Sequence, residues 1–165
     1  MADTLRPGEV AAPLDPATLA GDAHLIFIGH ARTPWTSRKD CPKNLREARE
    51  RQGWARIEID LPWRSGLRDL AAGDLIIVLT WLHQARRDLM VQAPRHRETP
   101  ASVFSLRSPV RPNPIGLHVV RIVSADVETG KLELDALDCL DDTPVLDIKP
   151  WRAGVDIPPE LPTSS

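Results

Sequence analysis

The chain has 165 residues, of which 42% are hydrophobic and 27% charged, and its formal net charge is −2. The composition excludes a disordered chain and a membrane protein, and the length allows one domain with one core. The net charge excludes a uniformly basic nucleic-acid coat. It hides an asymmetry, however, because residues 30–56 and 81–121 each carry +5 whereas residues 122–165 carry −7.

The first half of the chain predicts short strands separated by loops. Residues 1–22 are rich in Pro and Ala, and we expect them to form a flexible arm. The apolar run 24–29, which ends in glycine, predicts a buried strand, and the Pro-containing stretch 31–44 predicts a loop. Asn44 is a candidate N-cap for a short helix over residues 45–52.

The middle of the chain contains the most apolar segment. Residues 54–60 alternate in polarity, which predicts an edge-type strand with its odd-numbered residues facing the core. Residues 65–72 predict a helical turn. Residues 74–82 are apolar and β-branched, which predicts a central strand. Residues 83–101 are polar and Arg-rich, which predicts a long loop.

The last third predicts three more strands, over residues 102–107, 116–127 and 131–140, with a hairpin turn at residues 128–130. The Pro-rich end, residues 150–165, is expected to lie over the surface. Because short strands dominate, the predicted fold class is mainly β: a single small β-barrel with one or two short helices and long loops.

Nothing in the sequence indicates a membrane or a metal. No run of about 18 apolar residues is present, and the first residues lack the basic start and apolar stretch of a signal peptide. The two cysteines do not form a metal-spaced pair. We therefore expect a cytoplasmic protein without a metal, with an arm over residues 1–22, one domain over 23–152 and a Pro-rich tail over 153–165.

The stretch from Arg107 to Leu117, with the sequence RSPVRPNPIGL, is the least ordinary in the chain. Pro112 and Pro114 have a fixed φ, and each disfavours the helical region for the residue before it. Arg111 to Pro114 are therefore expected to be rigid and extended. The residues alone leave two interpretations open, a stiff surface turn or a loop that binds a ligand with little ordering cost.

That stretch, followed by DDTPVLDIKP over residues 141–150, closely resembles the TsaA-like family. Two weaker matches precede it, around residues 28–34 and 81–84. The resemblance implies a β-barrel that binds S-adenosylmethionine. It also implies methylation of N6 of the threonylcarbamoylated adenosine at position 37 of tRNA, in the anticodon loop. Members of the family look dimeric, so a homodimer is expected as well.

The resemblance also implies the residues of the site. The expected cofactor contacts are Pro42, Lys43, Asn44, His83, Gln84, Arg107, Leu117, Asp141, Asp142, Thr143 and Pro144. Asp142 stands where the family usually has Gly; if that position has a positive φ, Asp tolerates it better than most residues. Without the motif, Leu117 would be ordinary core, and His83 is more often a structural histidine.

Methyl transfer to N6 requires alignment more than acid–base help, and we expect Asp147 to hold or accept the N6 proton and Lys149 to contact phosphate or the modified base. A structural ion pair between these two is the alternative, since alternation puts both on one face. Arg86, Arg87, Arg111 and Asn113 are expected to contact the tRNA, and Trp35 and Trp151 are candidates for base stacking.

Members of the tRNA-modifying branch often continue past the last motif, whereas this sequence ends fifteen residues after Pro150. Two alternatives to the tRNA enzyme therefore stay open. One is a methyltransferase that acts on a different substrate. The other is an S-adenosylmethionine-binding module without catalysis.

Overall fold

The computed structural model describes residues 5–13, 24–51, 53–94 and 97–160. Within these ranges the strands are β1 Val10–Ala11, β2 Gly29–Arg32, β3 Ala55–Ile59, β4 Leu75–Trp81, β5 Leu89–Gln92, β6 Ala101–Ser102, β7 Ile115–Asp126, β8 Lys131–Leu134 and β9 Pro144–Pro150. Two short α-helices, α1 Leu45–Glu50 and α2 Ala153–Asp156, and two 3₁₀ helices, Leu61–Leu67 and Val103–Ser105, complete the described elements. Among these residues no helix has the length and apolar character needed to cross a membrane.

The described residues belong to two compact units. The first unit comprises Met1–Ile26 and Trp81–Gly116, and the second comprises Phe27–Thr80 and Leu117–Ser165.

A closed six-stranded barrel, in the order β2-β3-β8-β7-β4-β9, forms the core of the second unit. Along β3 and β4 buried residues alternate with partly exposed ones, and Ile57, Ile76 and Val78 are fully buried. Burial of each such side chain contributes about 1.5–3 kcal/mol, which explains why these alternating segments become barrel strands. The mainly β fold class with a single small barrel is confirmed.

In the first unit, β1, β5 and β6 form a small antiparallel sheet in the order β1-β5-β6. Beside it, the buried carboxylate of Glu9 accepts hydrogen bonds from the Arg6 backbone N–H and guanidinium at 2.6–3.0 Å. β1 lies within the segment predicted as a flexible arm; the domain boundaries over residues 1–22, 23–152 and 153–165 stay predictions.

Several local predictions are confirmed. Asn44 caps α1, β7 and β8 form the predicted hairpin, and Gly130 in its turn has a φ of 74°. A β-carbon on Gly130 would lie 2.4 Å from the Ile59 carbonyl oxygen, so both the conformation and the space require glycine there.

Other local predictions are wrong. Residues 24–28 are not a buried strand: β2 begins at Gly29, where pairing with Ile59 begins, and the apolar side chains at residues 25–27 are exposed. The predicted loop 83–101 contains β5 and the first residue of β6. Residues 103–105 form a 3₁₀ helix rather than a strand, and the helical turn predicted at 65–72 lies earlier, at Leu61–Leu67.

Candidate functional site

The turn that leads into β9 contains four of the predicted cofactor contacts, and its own side chains hold it. The Asp141 carboxylate accepts from the Thr33 N–H at 3.1 Å, and the Asp141 N–H donates to the Trp35 carbonyl at 2.8 Å. The buried Thr143 hydroxyl donates to the Leu140 carbonyl at 2.7 Å. The side chains of Asp141 and Thr143 therefore define the shape of the turn.

Asp142 occupies the middle of this turn and has a φ of 63°, the one positive value at a non-glycine position in the described part of the chain. Its N–H donates to the Ala31 carbonyl at 2.9 Å. Its carboxylate lies 2.6 Å from Nη1 of Arg32 and is 64% exposed. The positive φ explains why the family has glycine here and why aspartate is an acceptable replacement.

The segment Pro42-Lys43-Asn44 lies at the start of α1. The Asn44 side-chain oxygen accepts from the Glu47 N–H at 2.9 Å, and the Glu47 carboxylate accepts from the Lys43 N–H at 3.0 Å. That backbone bond lowers the pKa of Glu47 below its ordinary value. Pro42 is buried and Lys43 is exposed, so the Lys43 ammonium and the Asn44 NH2 group are the polar groups that can reach a ligand.

The loop between β2 and α1 brings these two segments together. Thr33 and Trp35 bind Asp141, and Cys41, directly before Pro42, donates its thiol to the Asp138 carbonyl at 3.5 Å. Burial raises the pKa of Cys41 to about 11, which makes it a packing residue rather than a nucleophile.

Leu117 lies on β7 and is 45% exposed, although its neighbours Gly116 and His118 are buried. The inward His118 ring binds on both sides: Nε2 is 2.9 Å from the Thr80 hydroxyl, and Nδ1 is 2.6 Å from the Asp138 carboxylate. Because alternate residues point to opposite faces of a strand, this buried network fixes Leu117 on the outside. The polar residues inside an apolar barrel were not predicted; His118 within a strand was the available signal.

Asp147 and Lys149 lie on one face of β9, as the alternation predicts, and their charged groups are 2.7 Å apart. One Asp147 oxygen also accepts from the Ile148 N–H at 2.9 Å. Both side chains are substantially exposed, so the pair contributes little to stability, typically about 0–1 kcal/mol. Each carboxylate oxygen can accept more than one hydrogen bond, so Asp147 can accept from a further donor while it keeps its contact with Lys149.

In the first unit the motif from Arg107 to Pro114 is held by other residues of that unit. The buried Gln92 side chain donates to the Val110 carbonyl at 2.7 Å and accepts from the Ser108 hydroxyl at 2.9 Å. The Arg111 guanidinium donates to three carbonyls within residues 103–108, at 3.2–3.5 Å. The chain bends through residues 111–113, and the Ile115 N–H closes a tight turn onto the Asn113 carbonyl at 2.8 Å.

Two of the arginines predicted to contact tRNA also have internal partners. Arg86 makes a two-point contact with the Asp88 carboxylate at 3.0 and 2.8 Å, which lowers the pKa of that group. Arg87 donates to the Pro112 carbonyl at 2.6 Å and lies over the Trp81 ring at 5.3 Å. Of the four predicted substrate contacts, Asn113 alone has an exposed side chain.

The remaining predicted contacts of the first unit face solvent. Arg107, His83 and Gln84 are exposed, and the last two lie 3.4 Å apart through their side-chain nitrogens. The Leu82 N–H donates to the Pro114 carbonyl at 2.8 Å, which places the 83–84 pair beside the end of the motif.

The two tryptophans proposed for base stacking are only partly exposed. Trp35 donates its indole N–H to the Leu137 carbonyl at 3.0 Å, and the Arg51 guanidinium lies over its ring. One face of Trp35 is therefore already covered. No cluster of three or more His, Cys, Asp or Glu side chains that could bind a metal occurs among the described residues.

A family model described as tRNA-methyltransferase O N-terminal domain matches residues 30–157. The probable S-adenosyl-L-methionine-binding protein VirR of Rhizobium radiobacter is 42% identical over 149 residues, which cover 90% of this chain and 81% of that protein. A tRNA (adenine(37)-N6)-methyltransferase of Mus musculus is 48% identical over 71 residues, which cover 43% of this chain and 16% of that protein.

Among solved structures, TrmO from Pseudomonas aeruginosa matches with a TM-score of 0.66 and 26% identity. The match covers 86% of this chain and 61% of the solved one, so the chain spans about three fifths of that protein's length. A family model that spans most of the chain, together with a relative at 42% identity, shows that this protein belongs to the family of tRNA-methyltransferase O N-terminal domains and confirms the TsaA-like resemblance.

Proposed function

We propose that this protein binds S-adenosylmethionine and transfers its methyl group to N6 of an adenosine in tRNA. The observation that carries the proposal is the family match over residues 30–157, since that range contains every residue expected to bind the cofactor. The finer form of the proposal is that the target is the threonylcarbamoylated adenosine at position 37, in the anticodon loop. We also propose that the protein acts in the cytoplasm as a homodimer.

Each unit offers groups that suit S-adenosylmethionine. In the second unit Lys43 suits the cofactor's carboxylate, the Asn44 NH2 group suits an acceptor on the ribose or adenine, and Leu117 offers an apolar surface for the adenine face. In the first unit Arg107 and Gln84 offer the same two polar functions. Leu117 is 45% exposed on β7, as are Ile115 at 42% and Val123 at 57%, so this strand offers apolar surface to a ligand.

The turn from Asp141 to Pro144 is proposed to contact the cofactor mainly through its backbone. The side chains of Asp141 and Thr143 make hydrogen bonds that stabilise the turn itself, and Thr143 and Pro144 are buried. A preformed turn of this kind binds with little loss of conformational entropy.

S-adenosylmethionine supplies an activated methyl group on a sulfonium. The chain's own residues then have to place the acceptor nitrogen in line and dispose of one proton. Alignment of bound reactants is worth about 7–11 kcal/mol, far more than a general base at about 10²–10⁴-fold. We assign the proton contact to Asp147, and we assign the phosphate or modified-base contact to Lys149.

The phosphate contacts come from fewer residues than the sequence suggested. Within residues 30–56, Arg32, Arg49, Arg51 and Arg56 form ion pairs inside the second unit. Arg38, Lys39, Lys43 and Arg46 are exposed; Arg46 lies 3.7 Å from the Glu50 carboxylate, and the charge of Lys43 acts on the nearby Glu47 carboxylate. We propose that these four residues supply the RNA-facing charge of the second unit, and that Asn113 contacts the tRNA from the first.

A transfer assay tests the proposal directly. Purified protein with methyl-labelled S-adenosylmethionine and tRNA from a strain that lacks the gene should label the tRNA, and mass spectrometry of the digested nucleosides should identify the methylated adenosine. Asp147→Asn should lower kcat more than tenfold, whereas Glu128→Gln, at an exposed hairpin position, should not. A loss below tenfold would remove the role of Asp147.

The binding-module alternative keeps one specific support, because the VirR relative is named as a probable S-adenosyl-L-methionine-binding protein. Calorimetry separates the two. Cofactor binding without transfer to any tRNA favours the module, and no binding contradicts both.

A further inference from the structure

Asp142 is fixed more firmly than the family's glycine would be. Its N–H donates to the Ala31 carbonyl, and its carboxylate accepts from Arg32 at 2.6 Å, so both the backbone and the side chain of Asp142 are restrained. Arg32 is itself fixed, because its Nε donates to the Glu58 carboxylate at 3.0 Å.

The ion pair is the end of a longer chain of alternating charges. Glu58 also lies 3.1 Å from Arg56, and Arg56 lies 3.5 Å from Glu133. These residues lie on three hydrogen-bonded strands, β2, β3 and β8, in which Arg32 is paired with Arg56 and Arg56 with Glu133. This row of ion pairs therefore joins the barrel strands to the turn 141–144, and it ends at the Asp142 carboxylate.

We propose that Arg32 is a positioning residue for S-adenosylmethionine, which acts by holding the turn 141–144 through Asp142. This inference rests on the proposed function. A glycine at position 142 would be free to leave the left-handed region, whereas the Arg32–Asp142 pair restricts the turn to one conformation before the cofactor binds. The carboxylate is directed to a guanidinium, so its role is to restrain the turn and not to contact the sulfonium.

The solvent exposure of the Arg32–Asp142 pair determines how large a change in cofactor affinity to expect when the pair is broken. Arg32 is 32% exposed and Asp142 is 64% exposed, so solvent screens their attraction. An exposed pair of this kind corresponds to an affinity change of about two- to fivefold. Arg32→Gln should raise the dissociation constant for S-adenosylmethionine by that factor at low ionic strength, and the difference from wild type should shrink in 1 M salt.

A double-mutant cycle distinguishes positioning from a general loss of structure. Asp142→Asn keeps the size and the tolerance of positive φ but removes the charge, so Arg32→Gln should have no further effect on affinity in that background. Arg32→Lys should restore part of the loss. Glu133→Gln breaks the same network at its far end, and it should leave cofactor affinity unchanged even if it lowers the melting temperature.

Calorimetric titration of S-adenosylmethionine into the five proteins and the double variant gives the answer. Equal affinity of Arg32→Gln and wild type overturns the inference, as does an equal effect of Arg32→Gln in the wild-type and Asp142→Asn backgrounds. Tighter binding by Asp142→Asn also overturns it, because the carboxylate would then face the ligand. Failure of the wild type to bind the cofactor contradicts the proposed function itself and is therefore distinguishable.

Discussion

The network of Thr80, His118 and Asp138 inside the barrel makes a sharp prediction about stability. A carboxylate only accepts hydrogen bonds, so in the neutral ring Nδ1 carries the proton toward Asp138, and Nε2 accepts from the Thr80 hydroxyl. Thr80→Val keeps the shape of the side chain but removes the donor. Both residues are nearly inaccessible to water, so Nε2 is left without a partner.

The cost of an unpaired buried acceptor is about 1–3 kcal/mol. For a chain of this length each kcal/mol lowers the melting temperature by about 2–4 °C, so Thr80→Val should lower it by about 2–12 °C. The loss should depend on His118. In a His118→Leu background the threonine hydroxyl is the unpaired group, so Thr80→Val should there be neutral or stabilising, since replacing both partners by apolar groups can cost almost nothing.

Urea unfolding of wild type, both single variants and the double variant measures this coupling through the free energies of unfolding. His118→Leu should not leave Asp138 strongly unsatisfied, because that side chain is 21% exposed and can be hydrated. The reasoning is refuted if Thr80→Val costs the same in both backgrounds, since the hydroxyl would then contribute only through its packing.

Three further predictions concern other parts of the second unit. Gly29→Ala should lower the free energy of unfolding by about 1–3 kcal/mol or more in a urea melt, because the new β-carbon would lie 2.1 Å from the Glu58 carbonyl oxygen; Gly66→Ala, which meets nothing within 4 Å, is the control. The Arg32 guanidinium, which donates to Glu58, lowers the pKa of this carboxyl below 4.5. The ionised Glu58 therefore contributes to the free energy of unfolding above pH 4.5, and this contribution is lost as the pH falls through the lowered pKa of the folded protein. Glu58→Gln should accordingly flatten the acid side of the stability–pH curve, and an unchanged curve would contradict this. Burial raises the pKa of Cys41 to about 11, so at pH 8 about one thiol in a thousand is ionised, and an aromatic disulfide reagent should react slowly with the native protein but rapidly after unfolding.

The barrel was predictable where the strands carry a pattern. Residues 54–60 and 74–82 alternate or are β-branched, and they form β3 and β4 because the barrel buries every second side chain. β1 and β6 have two residues each, too few to show an alternating pattern, and β5 lies in a polar, Arg-rich stretch; these three strands form by pairing with one another. The apolar run at residues 25–27 led to a wrong prediction of a buried strand, because these side chains are exposed and the strand begins only at Gly29.

The sequence predicted which residues belong to the candidate site, but it did not predict which other residues those side chains contact. The motif indicated Asp142, and its positive φ follows from the glycine it replaces, yet nothing in the sequence indicates that Arg32, 110 positions away, binds its carboxylate. The same holds for Arg111. Its place in a Pro-rich motif predicted that it contacts the tRNA, but its guanidinium donates to three carbonyls of its own unit.

The arginine content therefore has two physical meanings, which charge arithmetic alone cannot separate. An arginine beside a carboxylate or a carbonyl stabilises loops and barrel walls and has fewer N–H donors left for a phosphate, as in Arg49, which binds Asp135 at 2.7 Å and the Val119 carbonyl at 3.1 Å. Within residues 30–56 the exposed cations outside these closer ion pairs lie at residues 38–46. Those cations include Lys43, which is also a predicted cofactor contact. These cations thus lie on the segment where the cofactor is expected, an arrangement that suits a methyl donor and a polyanionic acceptor that have to meet.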